Sequence, residues 1–356
     1  MAKQEAKGNE KKKAAMLRIL KILEDYTDYE HRISIQEIEE LLVSKYEIEL
    51  KRKAIKRNLE ELCDMGYDIE YEISYRKGKN GEEEEVKKDW YLQHTFDDSE
   101  LRLIIETVLF SRYIPHAQKT GENGLIKRLE GLSSQYFRKK VRHVNTITDI
   151  SLDSADMLPT IEVLAEAIHN EKQVCFNYNF YDIDKKKHSY KNTKKLPREY
   201  IISPYYIVSA NNRYYLICNH KNNDELQNYR LDRMSNIAVV NERRRPITAL
   251  KGLKAGLDLT KYMTERLYMF SGEVAPVRFR VKRMYVDDVI DWFGKDVHFS
   301  EIGANEVTVR AKVNLNAMKI WAVQYGTNVR VLSPPRLVDE VKETLKQALS
   351  KYEENV

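Results

Sequence analysis

Arg230 and Arg233 stand three positions apart at the end of a run rich in aromatic and β-branched residues. A guanidinium presents its N–H donors in a rigid fork that matches phosphate or carboxylate oxygens, so a close pair points to holding an anion rather than to bond-making chemistry. In a regular strand, positions three apart face opposite sides, and a bulge or bend at Asp232 is needed to bring both groups to one site. The plainer alternative is that Asp232 pairs with one arginine while the other caps a rim. A second basic concentration, Lys51, Arg52, Lys53, Lys56 and Arg57, lies near the N-terminal end of the chain. A helix start repels cations, so bases crowded there imply a polyanionic partner. Arg76, Lys77 and Lys79 form a smaller group at a GKNG turn, suited to touching backbone phosphates without reading sequence.

The elements around the arginine pair read as short strands. An extended run ends at Pro204, the Asn211-Asn212 turn separates Tyr205–Ser209 from Arg213–Cys218, and a polar loop leads to Leu226–Leu231. Upstream, Met157–Asn170 has Ile161, Leu164, Ala165 and Ile168 at helical spacing, and Val174–Phe180 follows as a strand. The connection between the strands carries Lys185, Lys186, Lys187, Lys191, Lys194, Lys195 and Arg198. It reads as a solvated loop that also offers long-range attraction to an anion.

Tyr214-Tyr215-Leu216 and Tyr229-Arg230-Leu231-Asp232-Arg233-Met234 together resemble the two motifs of the WYL domain, with Tyr214 where the naming tryptophan usually stands. The resemblance implies a small Sm-like β barrel behind a helix-turn-helix in a bacterial transcriptional regulator. It also implies a sensory site for a nucleotide or nucleic acid ligand, formed by Arg230 and Arg233 with Tyr178 and Tyr215. On a regular strand Tyr214 and Tyr215 face opposite ways, so one of these rings reaches the ligand. Tyr178 reads equally as a core or rim aromatic.

Near the N-terminus, residues 1–13 read as a basic tail and Ala14–Tyr26 as a helix. Ser34 with Glu37 three residues on signals the start of a second helix, and Leu50–Met65 forms a third that Gly66 stops. Setting Ile55, Leu59 and Leu62 inward leaves Lys53, Lys56 and Arg57 on the opposite side. That is where a recognition helix meets DNA. The bland alternative is a solvated face balanced by Glu60 and Glu61. Tyr67–Tyr75 and Glu82–Gln93 read as the wing of a winged helix, and this region resembles the one that precedes WYL domains.

Asp97–Tyr113 and a segment within residues 121–137 read as helices that bridge to the sensor, pack within the chain or pair with a second copy. From residue 273 the order βαββαβ and a closing helix from Pro335 are ferredoxin-like and resemble the extension that follows WYL domains. In the family this extension packs against the sensor or a partner subunit.

With 356 residues the chain is long enough for three domains, and a net charge of +5 permits nucleic acid binding without demanding it. No apolar run reaches membrane-spanning length and the start lacks a secretion signal, so a cytoplasmic protein is expected. Cys63, Cys175 and Cys218 lack metal-ligand spacing and read as small core residues. No phosphate-cradling loop, dinucleotide fingerprint or catalytic constellation is present in the sequence; no enzyme activity, metal or cofactor is expected.

The expected architecture is therefore α+β. It comprises a winged helix-turn-helix at 14–94, a helical linker and dimerisation region at 95–156, the WYL barrel at 157–246 and the extension at 273–352. The expected function is a homodimeric, ligand-responsive regulator whose partners are double-stranded DNA and an anionic nucleotide or single-stranded nucleic acid. An accessory protein that modulates a defence effector is the alternative. Replacing both Lys53 and Arg57 with alanine is expected to leave folding intact and weaken duplex binding. Titration against duplex variants separates a guanine-edge contact, worth about 1–3 kcal/mol at one base pair, from a phosphate contact that weakens all sequences alike. Unchanged affinity in the folded double variant rules out this helix as the reader.

Overall fold

The computed structural model describes residues 2–77, 83–111, 113–121, 123–140 and 157–353, leaving out the side chains of 2–13 and 140. The chain forms two compact units, Met1–Leu152 and Asp153–Val356. Both mix helices with antiparallel strands, an α+β composition.

The first unit opens with α1 (Ala2–Tyr26), α2 (Ile35–Tyr46) and α3 (Arg52–Asp64), followed by β1 (Ile69–Lys77) and β2 (Glu83–Leu92). The segment expected as a tail continues α1 back to Ala2, because its lysine, glutamate and alanine residues favour helix and no proline interrupts them. Ile19, Ile22 and Leu23 of α1 meet Ile38 and Leu42 of α2, Ile55, Leu59 and Leu62 of α3, and Trp90 of β2 in one core. The expected start of α2 is a full capping box: Ser34 Oγ accepts the Glu37 N–H at 3.2 Å and the Glu37 carboxylate accepts the Ser34 N–H at 2.8 Å. Glu47, in the left-handed region at φ 55°, closes α2 and starts the short joint to α3. β1 and β2 pair antiparallel from Ile69↔Leu92 to Lys77↔Glu83, and Lys79 lies outside the described residues.

α4 (Asp98–Phe110), α5 (His116–Thr120), α6 (Leu125–Glu130) and α7 (Gln135–Lys140) complete this unit. The helix expected within residues 121–137 is only six residues long, with α7 starting separately after it. Gly131 ends α6, and buried Ser134 turns its hydroxyl oxygen to the Tyr136 and Phe137 N–H groups at the start of α7. Ser134 also donates to Asp28 at 2.6 Å, and Arg138 donates to Asp25 at 2.9 Å, which fastens α7 to the end of α1 and the turn after it.

The second unit contains α8 (Met157–His169), β3 (Lys172–Tyr181), β4 (Lys187–Ser189), β5 (Glu199–Ala210), β6 (Arg213–His220), β7 (Leu226–Arg230), β8 (Met234–Arg243) and α9 (Leu259–Thr264). Its first sheet runs β4-β3-β5-β6-β7, with β8 paired to β3, all antiparallel. Pro204 does not end a strand as expected: β5 passes through it with a register shift between Pro204 and Tyr206, where the missing N–H is accommodated. Asn211 and Asn212 both have positive φ, at 51° and 54°, the geometry of a two-residue hairpin turn. β8 was not expected from the sequence.

The remaining elements are β9 (Val274–Lys282), α10 (Val286–Phe293), β10 (His298–Ser300), β11 (Glu306–Asn314), α11 (Leu315–Tyr325), β12 (Val329–Ser333) and α12 (Pro335–Glu353). The strand order is β10-β11-β9-β12 and every pairing is antiparallel. Phe279, Phe293 and Trp321 form the aromatic centre of its core, with Phe293 and Trp321 edge-to-face at 4.9 Å. Among the described residues no helix is long and apolar enough to cross a membrane. Ser34→Ala removes the cap that fixes α2 beneath α3 and is expected to lower stability by about 1 kcal/mol. A denaturant titration with an unshifted midpoint contradicts that role.

Candidate functional site

Two groups of sequence-predicted residues occupy the two units separately. In the first unit, α3 turns Ile55, Asn58, Leu59 and Leu62 inward, and Lys51, Arg52, Lys53 and Arg57 are exposed. Lys51 is the N-cap residue and makes no side-chain capping bond, so the helix start carries bases without any compensating acid in its first turn. Further along, Lys56 meets Glu60 at 3.8 Å and Arg57 meets Glu61 at 3.7 Å. Such exposed pairs one turn apart contribute only about 0.3–0.5 kcal/mol and leave both cations free to change partners. Arg52 bonds Gln36 at 3.1 Å. Arg76 and Lys77 are exposed at the far end of β1, where Arg76 faces Glu84 at 3.4 Å.

In the second unit, β7 ends at Arg230 and the backbone passes through a 3₁₀ turn, Leu231–Arg233, before β8 begins. This turn is the bend that two arginines three apart require, and both side chains line one cavity of about 640 Å³. The arginines are not equivalent. The Asp232 side chain is only 1% exposed and accepts both Arg230 Nε, at 3.0 Å, and Arg230 Nη2, at 2.6 Å. Arg233 has its Nε buried with no hydrogen-bond partner among the described residues.

Tyr178 of β3 accepts the Arg230 backbone N–H at 3.2 Å through its hydroxyl oxygen, which fixes the ring at the cavity edge. Burial raises the pKa of that hydroxyl, outweighing the opposing pull of the Arg230 N–H and the two guanidiniums, and keeps it protonated. Tyr215 lies opposite Arg230 in the β6–β7 ladder and also lines the cavity. All four residues expected at the ligand site therefore meet there.

A model of the WYL domain matches residues 159–239, the span that holds Tyr178, Tyr215, Arg230 and Arg233. The chain carries a WYL domain. A model of the WCX domain matches residues 273–349, which includes every strand of the second sheet. Among solved structures, the chain is similar to proteasome accessory factor B/C (PafBC) of Arthrobacter aurescens, at 15% identity and a TM-score of 0.28. That match covers 95% of this chain and 48% of the other, so this chain spans about half of that length. It is also similar to a protein described as CRISPR Cas-related, at 14% identity and a TM-score of 0.38, covering 98% and 86% of the two chains. No curated protein sequence matches the chain.

The cavity reaches beyond the WYL domain. Arg213 and Asn228 extend it along β6 and β7, and Tyr268, Phe270, Trp292 and Gln324 line it from the connector and the WCX domain. The connector strap, residues 266–270, is clipped to the WYL domain by Asn228: its side-chain amide donates to the Met269 carbonyl at 3.0 Å and its backbone N–H to Ser271 Oγ at 3.2 Å. Within the strap Tyr268 and Met269 both take positive φ, at 57° and 54°. This conformation costs a non-glycine residue roughly 1–2 kcal/mol, so the surrounding contacts must impose it. The Tyr268 ring packs against Trp292 with centroids 5.0 Å apart. Sequence reading missed these aromatics, since nothing local in residues 266–292 links them to the arginine motif. Two adjacent non-glycine residues at positive φ leave no signal in composition.

The WYL domain interior next to the cavity is closed by aromatic packing. Phe176 stacks on Tyr200 at 5.6 Å, and the Tyr229 hydroxyl lies 2.8 Å from His220 Nε2. Burial, aided by the Arg198 charge, lowers the His220 pKa, so the imidazole is neutral near pH 7. Because Arg230 and Asp232 form a buried pair, Arg230→Ala is expected to destabilise the chain by about 3–5 kcal/mol, whereas Arg233→Ala should change stability by less than about 1 kcal/mol. Thermal or denaturant unfolding of the two variants checks the contrast, and equal losses refute the division of roles.

Proposed function

We propose that this WYL-domain protein is a ligand-responsive, sequence-specific DNA-binding transcriptional regulator, not an enzyme. In this reading the first five elements are a winged helix-turn-helix, α3 enters the major groove, and Arg76 and Lys77 touch backbone phosphates. The sheet of the WYL domain acts as an Sm-like barrel, and the WCX sheet as a ferredoxin-like extension that carries the signal. Two copies bind together, so that two heads meet two half-sites.

The observation that carries the sensory half of the proposal is the pair of arginine side chains in one cavity faced with aromatic rings. Guanidinium N–H groups suit an incoming oxyanion, and a stacked base uses the rings beside them. A nucleotide or a short single-stranded nucleic acid supplies both. Arg233 is then the primary anchor, and Arg230, held by Asp232, gives a fixed positive wall. Tyr178 and Tyr215 shape the pocket.

The defence-accessory reading shares the cavity but uses the first unit for protein contact. Selection of bound sites from fragmented host DNA, repeated with candidate nucleotides, separates the two. A regulator recovers a common operator and its recovery changes with ligand. Strong single-strand binding with no duplex preference favours the accessory role. In the same assay Arg233→Ala is expected to keep basal operator binding and lose the ligand-dependent change, because a ligand shifts a binding equilibrium only through unequal affinity for its two states. A normal ligand response in that variant removes Arg233 from the site.

A further inference from the structure

A second cavity, of about 690 Å³, takes Arg266 of the same strap into its lining. Leu226 at the start of β7, Leu253 and Leu257 of the connector and Tyr262 of α9 form the apolar part of a mostly charged lining that includes Arg266. The Arg266 guanidinium lies over the Tyr262 ring, 3.8 Å from its centroid, and that ring is itself buried. As with Arg233, the Arg266 Nε is buried with no hydrogen-bond partner among the described residues.

The carboxylates around this cavity are largely engaged elsewhere. Glu265 meets Lys312 at 3.1 Å, Asp224 meets Arg245 at 2.7 Å and Glu273 meets Arg336 at 3.6 Å. Asp258 accepts the Lys261 backbone N–H at 3.0 Å as the cap of α9. Glu225 is exposed, as are Lys251 and Lys261 on the basic side of the lining. The lining carries carboxylates as well as cations, and among the described residues Arg266 forms no ion pair with any of them. Stacking on tyrosine holds the guanidinium plane still, so its fork is presented without loss of side-chain freedom on binding.

We propose that this cavity is a second ligand site, distinct from the arginine pair, which takes a small organic acid through its carboxylate or phosphate group with Arg266 as the anchor. The oxyanion accepts from the Arg266 fork, and the apolar body of the ligand lies against Leu253 and Leu257. The site does not depend on the proposed regulatory function, because its lining shares no residue with the first cavity.

Calorimetric titration of the full chain carrying Arg233→Gln, which removes the proposed anchor of the first cavity, tests the site with sodium pyrophosphate in one arm and succinate in the other. One of the two anions is expected to bind in a 1:1 ratio, and the arm that binds assigns the phosphate or the carboxylate class. Adding Arg266→Gln is expected to weaken that binding by about tenfold or more. Should that variant fail to fold, Arg266→Lys keeps the charge, gives up the bidentate fork and is expected to produce a smaller loss in the same direction. Absence of binding by both anions to the Arg233→Gln chain overturns the proposal, and so does binding that either folded Arg266 variant leaves unchanged.

Discussion

The arrangement of the WYL domain site rests on a buried carboxylate. Asp232 is taken almost completely out of water at the turn between β7 and β8, and an ionised carboxylate there is tolerable only with a charged, hydrogen-bonding partner. Arg230 supplies it from two residues away, with two donors. That requirement sets the roles of the neighbours. Arg230 belongs first to the turn, Tyr178 is tied to the Arg230 backbone, and Arg233 is left facing the cavity without a partner for its Nε. The pair of arginines is therefore one structural group and one available group, a division that follows from which of them reaches the aspartate.

Much of this was legible in the sequence. The elements after residue 273 are found where the apolar spacing puts them, and β9 buries alternate residues from Val277 to Val281. The cap of α2, the inward face of α3 and the Asn211-Asn212 turn were also legible, because each depends on residue types acting on their immediate neighbours. β8 escaped notice because its burial alternates irregularly and its partner β3 is some sixty positions earlier. The break between α6 and α7 falls at Gly131 to Ser134, where the Ser134 hydroxyl takes the first N–H groups of α7.

The candidate site divides in the same way. Arg230, Arg233, Tyr178 and Tyr215 were expected together from the WYL resemblance, and the need for a bend at Asp232 followed from strand geometry alone. The identity of the arginine that Asp232 captures depends on turn geometry that spacing cannot supply. Tyr268 and Trp292 lie on the far side of a chain excursion of dozens of residues, and only tertiary packing brings them to the arginines.

The strap clipped by Asn228 has a consequence for how the two cavities relate. Residues 266–270 serve both rooms like a shared wall: Arg266 belongs to the lining of one, Tyr268 and Phe270 to that of the other. Tyr262, under Arg266, donates its hydroxyl to the same Asn228 that holds Met269, at 3.1 Å, so the furnishings of both rooms hang on one amide. The backbone of this wall is already in a costly conformation at two adjacent residues, and a strained element has few alternative shapes that cost little. An occupant that stiffens or shifts the wall from one room changes the free energy of occupancy in the other by the same amount in return, without the two occupants ever meeting.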